Sequence, residues 1–149
     1  MPFASKNDWV TGRKSAITQA DTQIAAPRFT QTCVAADSAI NNVGVIGILP
    51  AGFVPVMALV DSTGLGGTGA ISLGALNAAG TDISTDAADG GAAWGSAVAV
   101  GAAGQVQVLS AAFSKVKPSA VDRQIAVKFT TAGGTAGELG VTLFYRPAP

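Results

Sequence analysis

An all-β fold, an antiparallel β-sandwich or jelly-roll-like domain with an extended N-terminal arm, is what this sequence predicts. Three observations predict it. Short apolar runs rich in β-branched residues recur from residue 28 to residue 146, each of strand rather than helix length. Glycine-rich clusters at Gly64 to Gly69, Gly90-Gly91, Gly101 to Gly104 and Gly133-Gly134 separate many of them. Several of the runs alternate apolar and polar residues, as a half-buried strand requires. A chain of 149 residues is long enough for one domain with a substantial core.

Residues 1–23 come first and differ from the rest. Phe3, Trp9, Val10 and Ile17 are scattered among Ser, Thr, Asn, Lys and Arg and sustain no period of 2 or 3.6. This segment reads as an extended arm that orders by lying on another surface, leaving residues 24–149 as the sandwich domain. Trp9 is the expected anchor, because large aromatics dominate contact energies. Phe3, Arg13 and Lys14 complete the set of arm residues expected to bind a partner.

The strands follow in order. Arg28 to Val34, Val43 to Leu49 and Phe53 to Val60 are bounded by Gly, Pro, Asn or Asp, with Leu49-Pro50-Ala51-Gly52 as a turn. Ala70 to Gly74, Ala97 to Val100 and Gln105 to Leu109 come next. In Gln124 to Thr130, Ile125, Val127 and Phe129 face one side, and Gln124, Ala126, Lys128 and Thr130 the other; Val141, Leu143 and Tyr145 repeat the pattern in Gly140 to Arg146. These last two strands are expected to pair antiparallel through Thr131 to Glu138. Ala75 to Asp89 is Ala-rich but interrupted by Gly80, Thr81 and Thr85, and reads as a loop with at most a short helix.

Composition narrows the function. Hydrophobic residues make up 48% of the chain and charged residues 12%, with a formal net charge of zero. So few charges leave much of the surface to Ala, Gly, Ser and Thr, which suits a subunit held among neighbours better than a free monomer. The ends are basic and residues 29–109 carry five Asp and no Lys or Arg. That field is too weak for a nucleic-acid footprint, so no nucleic-acid partner is expected. The single cysteine, Cys33, allows no intrachain disulfide and reads as a small apolar residue. Neither a signal-peptide run nor a membrane-length apolar stretch occurs, so the expectation is a soluble protein made in the cytosol, with no membrane partner.

The chemical inventory points away from catalysis. With no His, one Cys and one Glu, His-based triads and His metal sites are excluded, and an enzyme would have to rely on paired Asp. Gly64-Leu65-Gly66-Gly67-Thr68-Gly69 satisfies G-x-G-x-x-G, with Asp82 and Asp86 downstream. The segment that follows reads as a strand, however, not as the helix that would hold a pyrophosphate. A glycine-rich hairpin loop is expected instead, and no cofactor. Asp82, Asp86 and Asp89 lack the alternate-position acids of a calcium loop and read as turn formers, so no metal site is assigned.

The turn Leu49-Pro50-Ala51-Gly52, the strand Val54 to Val60 ending in Asp61-Ser62, the loop into Ile71-Ser72-Leu73-Gly74 and the final Leu143-Phe144-Tyr145-Arg146 together resemble small β-sandwich virion proteins of tailed bacteriophages. The likeness covers residues 45–146. It implies a non-enzymatic structural protein located in the virion, with a capsid decoration or cement role favoured over a tail, head–tail junction or fibre-base role. Implied partners are the major capsid protein or other virion proteins and the chain's own copies, a homotrimer suiting local three-fold sites. A carbohydrate-binding sandwich is the rival reading. It would need exposed aromatics, for which Trp94, Phe113 and Tyr145 are the candidates, although a glycine-flanked Trp94 reads more readily as a core plug.

Overall fold

The structure, a computed structural model, describes residues 3–12 and 24–148. Among the described residues there are eight strands: β1 (Arg28–Cys33), β2 (Val43–Leu49), β3 (Phe53–Ser62), β4 (Ala70–Ala75), β5 (Gly95–Ala99), β6 (Gly104–Val108), β7 (Arg123–Thr131) and β8 (Gly137–Pro147). They form two four-stranded sheets, ordered β1-β8-β3-β6 and β2-β7-β4-β5. All pairs are antiparallel. β1 pairs with β8, β2 with β7, β3 with β6 and β4 with β5. The chain is thus one long hairpin of four nested strand pairs rolled into two layers, the eight-stranded jelly roll.

The core lies between the layers. Phe29, Val60, Leu139, Val141, Leu143 and Tyr145 enter it from the first sheet, and Ile46, Ile71, Leu73, Ile125, Val127 and Phe129 from the second. Trp94, just before β5, is fully buried and donates its indole N–H to the carbonyl of Asp89 at 2.9 Å. Its ring lies 5.7 Å from that of Phe113. It therefore plugs the core, as its glycine flanks suggest.

Two expectations need correction. β7 and β8 do not pair with each other: residues 131–137 carry the chain from one sheet to the other, with Thr135 N–H bonded to the carbonyl of Leu65 and Gly133 N–H to that of Ser38. Alternation told which residues point inward, but two strands that face the core from opposite layers show the same pattern. For the same reason the Gly64–Gly69 segment is a crossing between sheets, not a hairpin loop. Gly66 and Gly67 there have positive φ, and a Cβ on Gly101 would sit 2.4 Å from the Gly67 carbonyl, so loop packs on loop.

Residues 76–89 form a loop, as expected, of turns and an isolated bridge between Leu76 and Ile83. The α-helix α1 lies at Ala111–Lys115, capped by the Ser110 side chain, which accepts from Ala112 N–H. A 3-10 turn spans Ala35–Ser38.

Loop 76–94 folds over the outer face of the second sheet. Ile83 rests on Gly74, where a Cβ would lie 2.6 Å from its Cγ2, and Gly74 is the register partner of Ala126. This is why Ala126, expected to face outward, is fully buried. The stability of the roll should rest on β8 far more than on its margins. Leu143→Ala is expected to cost about 2–5 kcal/mol and Leu109→Ala, at a position 69% exposed, less than about 0.5 kcal/mol, both read from denaturant midpoints at constant m.

Candidate interaction surfaces

A roll of two sheets has two open sides, where the edge strands of the layers face each other: β1 with β2, and β6 with β5. The first is closed by the chain itself. The Phe3 ring occupies the space left by Gly44, where a Cβ would collide with it, and meets the Phe129 ring edge-on at 6.4 Å. Gly47 leaves similar room for Phe29, and Trp9 packs edge-on against Phe29 at 5.4 Å. This segment is tied to both sides: Ala4 N–H donates to Asp37 Oδ1 at 2.8 Å, Gln31 Nε2 to the Ser5 carbonyl at 2.8 Å, and the Asn7 side-chain Nδ2 to the carbonyl of Ile46. Ile46 stands at the β2 bulge, where a carbonyl is free to accept.

Of the arm residues expected to bind a partner, Phe3 and Trp9 are thus seated on the chain's own sandwich, Phe3 within the buried core cluster. Arg13 and Lys14 lie outside the described residues. No sequence feature specifies this seat, since an isolated aromatic signals a contact but not the identity of its receiver.

The second open side is different. β5 and β6 border a groove of about 510 Å³ lined by Trp94 to Ala99 and Val106 to Ser110. Among the described residues β6 pairs only with β3, and β5 only with β4. Val106 is 36% exposed and Leu109 69%. β5 is itself irregular: Ala97 has φ of +53°, at a register shift against β4. Other exposed large apolar side chains are Ile24, Val34, Ile40, Val56 and Val121.

Several carboxylates of the sandwich are spent on internal ties. On the outer face of the first sheet, Arg28 spans Asp61 and Glu138 over Gly140, with Nε to Asp61 Oδ2 at 3.0 Å and Nη2 to Glu138 at 3.3 Å. Hydrogen bonding to Asp61 is the main reason its guanidinium pKa is raised. Arg123 holds Asp89 at 3.1 Å, and Lys128 holds Asp82 at 2.9 Å. Asp86 accepts from Ala88 N–H. The three loop Asp thus go to separate partners, and among the described residues no group of three His, Cys, Asp or Glu side chains could hold a metal. Phe113 and Tyr145 are buried with Trp94, so the aromatics a carbohydrate site would need are not available on the surface.

No protein-family model matches the sequence, and no curated protein does. Solved structures do. A chain from the capsid of Ralstonia phage GP4 aligns over 97% of this chain and 97% of its own length, with 21% identity and a TM-score of 0.72. This chain shares its fold. A chain from the capsid asymmetric unit of cyanophage Pam1 aligns over 97% of this chain and 99% of its own, at 14% identity and a TM-score of 0.48, too distant a likeness to carry inference.

Two titrations check this description. Burial, helped by Asp37, pushes the Cys33 thiol up to about 12, so iodoacetamide at pH 8 should leave it unmodified in the folded protein and alkylate it after denaturation. Hydrogen bonding to Lys128, then to Ile83 N–H, holds the Asp82 carboxyl below its ordinary value. A depressed folded pKa stabilises above the unfolded value of about 3.9 and is lost as pH falls through the folded one. Asp82→Asn should therefore cost about 0.2–1 kcal/mol at pH 7 and nothing at the acid end, where wild type and variant stability curves should merge.

Proposed function

We propose that this chain is a non-enzymatic structural protein of a phage virion, and within the virion a capsid decoration or cement protein. The observation that carries this reading is the end-to-end fold match, at a TM-score of 0.72, with a chain of a phage capsid. Two further features support it. The low charge suits a subunit surrounded by neighbours, and the described acids are engaged in ties that leave no paired carboxylates free for catalysis. Its partners are the major capsid protein or other virion proteins and its own copies, with neither nucleic acid nor membrane involved. A decoration protein stabilises the shell by mass action, because it binds the assembled lattice better than free subunits. A tail, head–tail junction or fibre-base position is the alternative use of the same fold, and no observation favours it.

Residues 24–149 are the folding unit in this reading, and residues 1–23 form the attachment arm. Phe3 and Trp9 seat the start of that arm on the β1–β2 side.

Cosedimentation with capsids assembled without the protein tests the proposal. Stoichiometric binding is the expected result; a soluble protein that ignores capsids would transfer the assignment to the tail. Deleting residues 1–23 should leave the β-rich circular dichroism spectrum in place, lower the melting temperature because the Phe3 and Trp9 contacts go, and weaken capsid attachment. Unchanged attachment would show the arm to be dispensable.

A further inference from the structure

We propose that β6 is a docking edge for a second copy of this chain, the two β6 strands pairing antiparallel about a two-fold axis to join the two β1-β8-β3-β6 sheets into one. An unpaired edge strand is a liability. Its outward N–H and C=O groups template further pairing, and proteins that stay monomeric block such edges with Lys, Pro, inward charges or a covering segment. On the β1–β2 side, residues 3–12 supply the cover. On the β5–β6 side none of these devices is present among the described residues: residues 90–114 contain no charged side chain and no proline. The groove there is open, and Val106 and Leu109 are exposed along it.

The sequence of β6 selects its occupant. Gly104-Gln105-Val106-Gln107-Val108 alternates, and its register with β3 shows how: Val106 and Val108 oppose Val60 and Ala58, which are buried, whereas Gln105 and Gln107 oppose Asp61 and Leu59 on the outer face. An antiparallel copy centred on Val106 places Val106 against Val106, Gln105 against Gln107 and Gly104 against Val108. Every valine then stays on the core side of both rolls and every glutamine on the outer side, where amide side chains can donate and accept across the seam. A one-residue slip would turn the valines to the wrong face. The pairing is isologous, so the same patch serves both partners and the contact closes. No like charges oppose one another, which is the condition a second copy satisfies most simply. β5 is the poorer edge, because the left-handed Ala97 breaks its ladder.

This inference names the self-contact within the function proposed above and does not require capsid attachment, so crosslinking and capsid cosedimentation can fail separately. A head-to-tail homotrimer would need a different contact.

The test is disulfide trapping in the full chain with Cys33→Ala, to remove the native thiol. Directly opposed residues in an antiparallel pair have Cα atoms about 4.5–5.5 Å apart, within disulfide range. Val106→Cys should give a crosslinked dimer at least about tenfold faster than Val121→Cys, an exposed control whose thiols meet only by diffusion. Sedimentation velocity of the unmodified protein should show mass rising with concentration from 14.7 kDa towards twice that value, and Val106→Lys, which puts two ammonium groups face to face, should remain monomeric over the same range. Equal crosslinking rates at the two positions would overturn the proposal, and so would a native mass of three copies or a Val106→Lys variant that still dimerises.

Discussion

The pairing of the last strand with the first governs this molecule. β8 lies between β1 and β3, and its register with β1 brings Gly137 to Thr142 against Cys33 to Arg28. That strand also buries Leu139, Val141, Leu143 and Tyr145. Until it is in place β1 has no strand neighbour and β3 has only β6, so half of one sheet waits on the final residues of the chain. Each nested pair spans a shorter loop than the one outside it, with β4 and β5 at the tip. Loop-closure entropy therefore rises outward from the tip, and the β1–β8 closure is the most expensive in the ladder and the one on which the first layer depends.

That closure explains the two open sides. A roll made of nested pairs leaves β1 and β2 as neighbouring edges at one side and β5 and β6 at the other. Gly44 and Gly47 make room on the first side for aromatic rings from outside the strand ladder, and Phe3 and Trp9 bring the N-terminal segment across it. Burial of those rings and the ties from Ala4, Ser5 and Asn7 together offset the entropy of ordering an irregular segment. On the second side no such segment is found among the described residues, and the sequence there is free of charge. The two sides therefore differ in kind, one satisfied within the chain and the other left chemically suited to addition.

Much of this was legible. All eight strands lie where β-branched runs and glycine punctuation put them, because both signals are local properties of the backbone. Trp94 was legible as a core plug for the same reason. Strand partners were not: β7 and β8 carry the same inward alternation, and only the three-dimensional roll assigns them to opposite layers. Ala126 could not be read as buried, because its cover, Ile83, arrives from a loop more than forty residues away in sequence. Ala-rich sequence is a loop in one place, as its interruptions indicate, and hides a helix in another. Residues 75–89 have the composition for a turn of helix but are held open by Asn77 and Asp82, which bond the loop backbone. Ala111–Lys115 has little more propensity, yet Ser110 caps it and Phe113 anchors it beside Trp94. Trp9 announced a contact without announcing its receiver, since aromatic burial has no direction that a sequence can express.

The distribution of charge carries the synthesis furthest. Asp61, Asp82, Asp89 and Glu138 are in ion pairs. Asp37 binds the N–H groups of Ala4 and Val34, and Asp122 that of Ala51. These carboxylates fasten loops and segments to the sandwich: Asp82 and Asp89 hold both ends of the loop over the second sheet, and Asp37 fixes the entry of residues 3–12. With the described carboxylates so engaged, the uncharged stretch from residue 90 to residue 114 stands apart from the rest of the surface. What it presents is backbone, small side chains and scattered aliphatics such as Val106 and Leu109. Recognition through such a surface draws on shape, strand pairing and apolar burial. These are short-ranged, and they become strong chiefly when many contacts are made together in register.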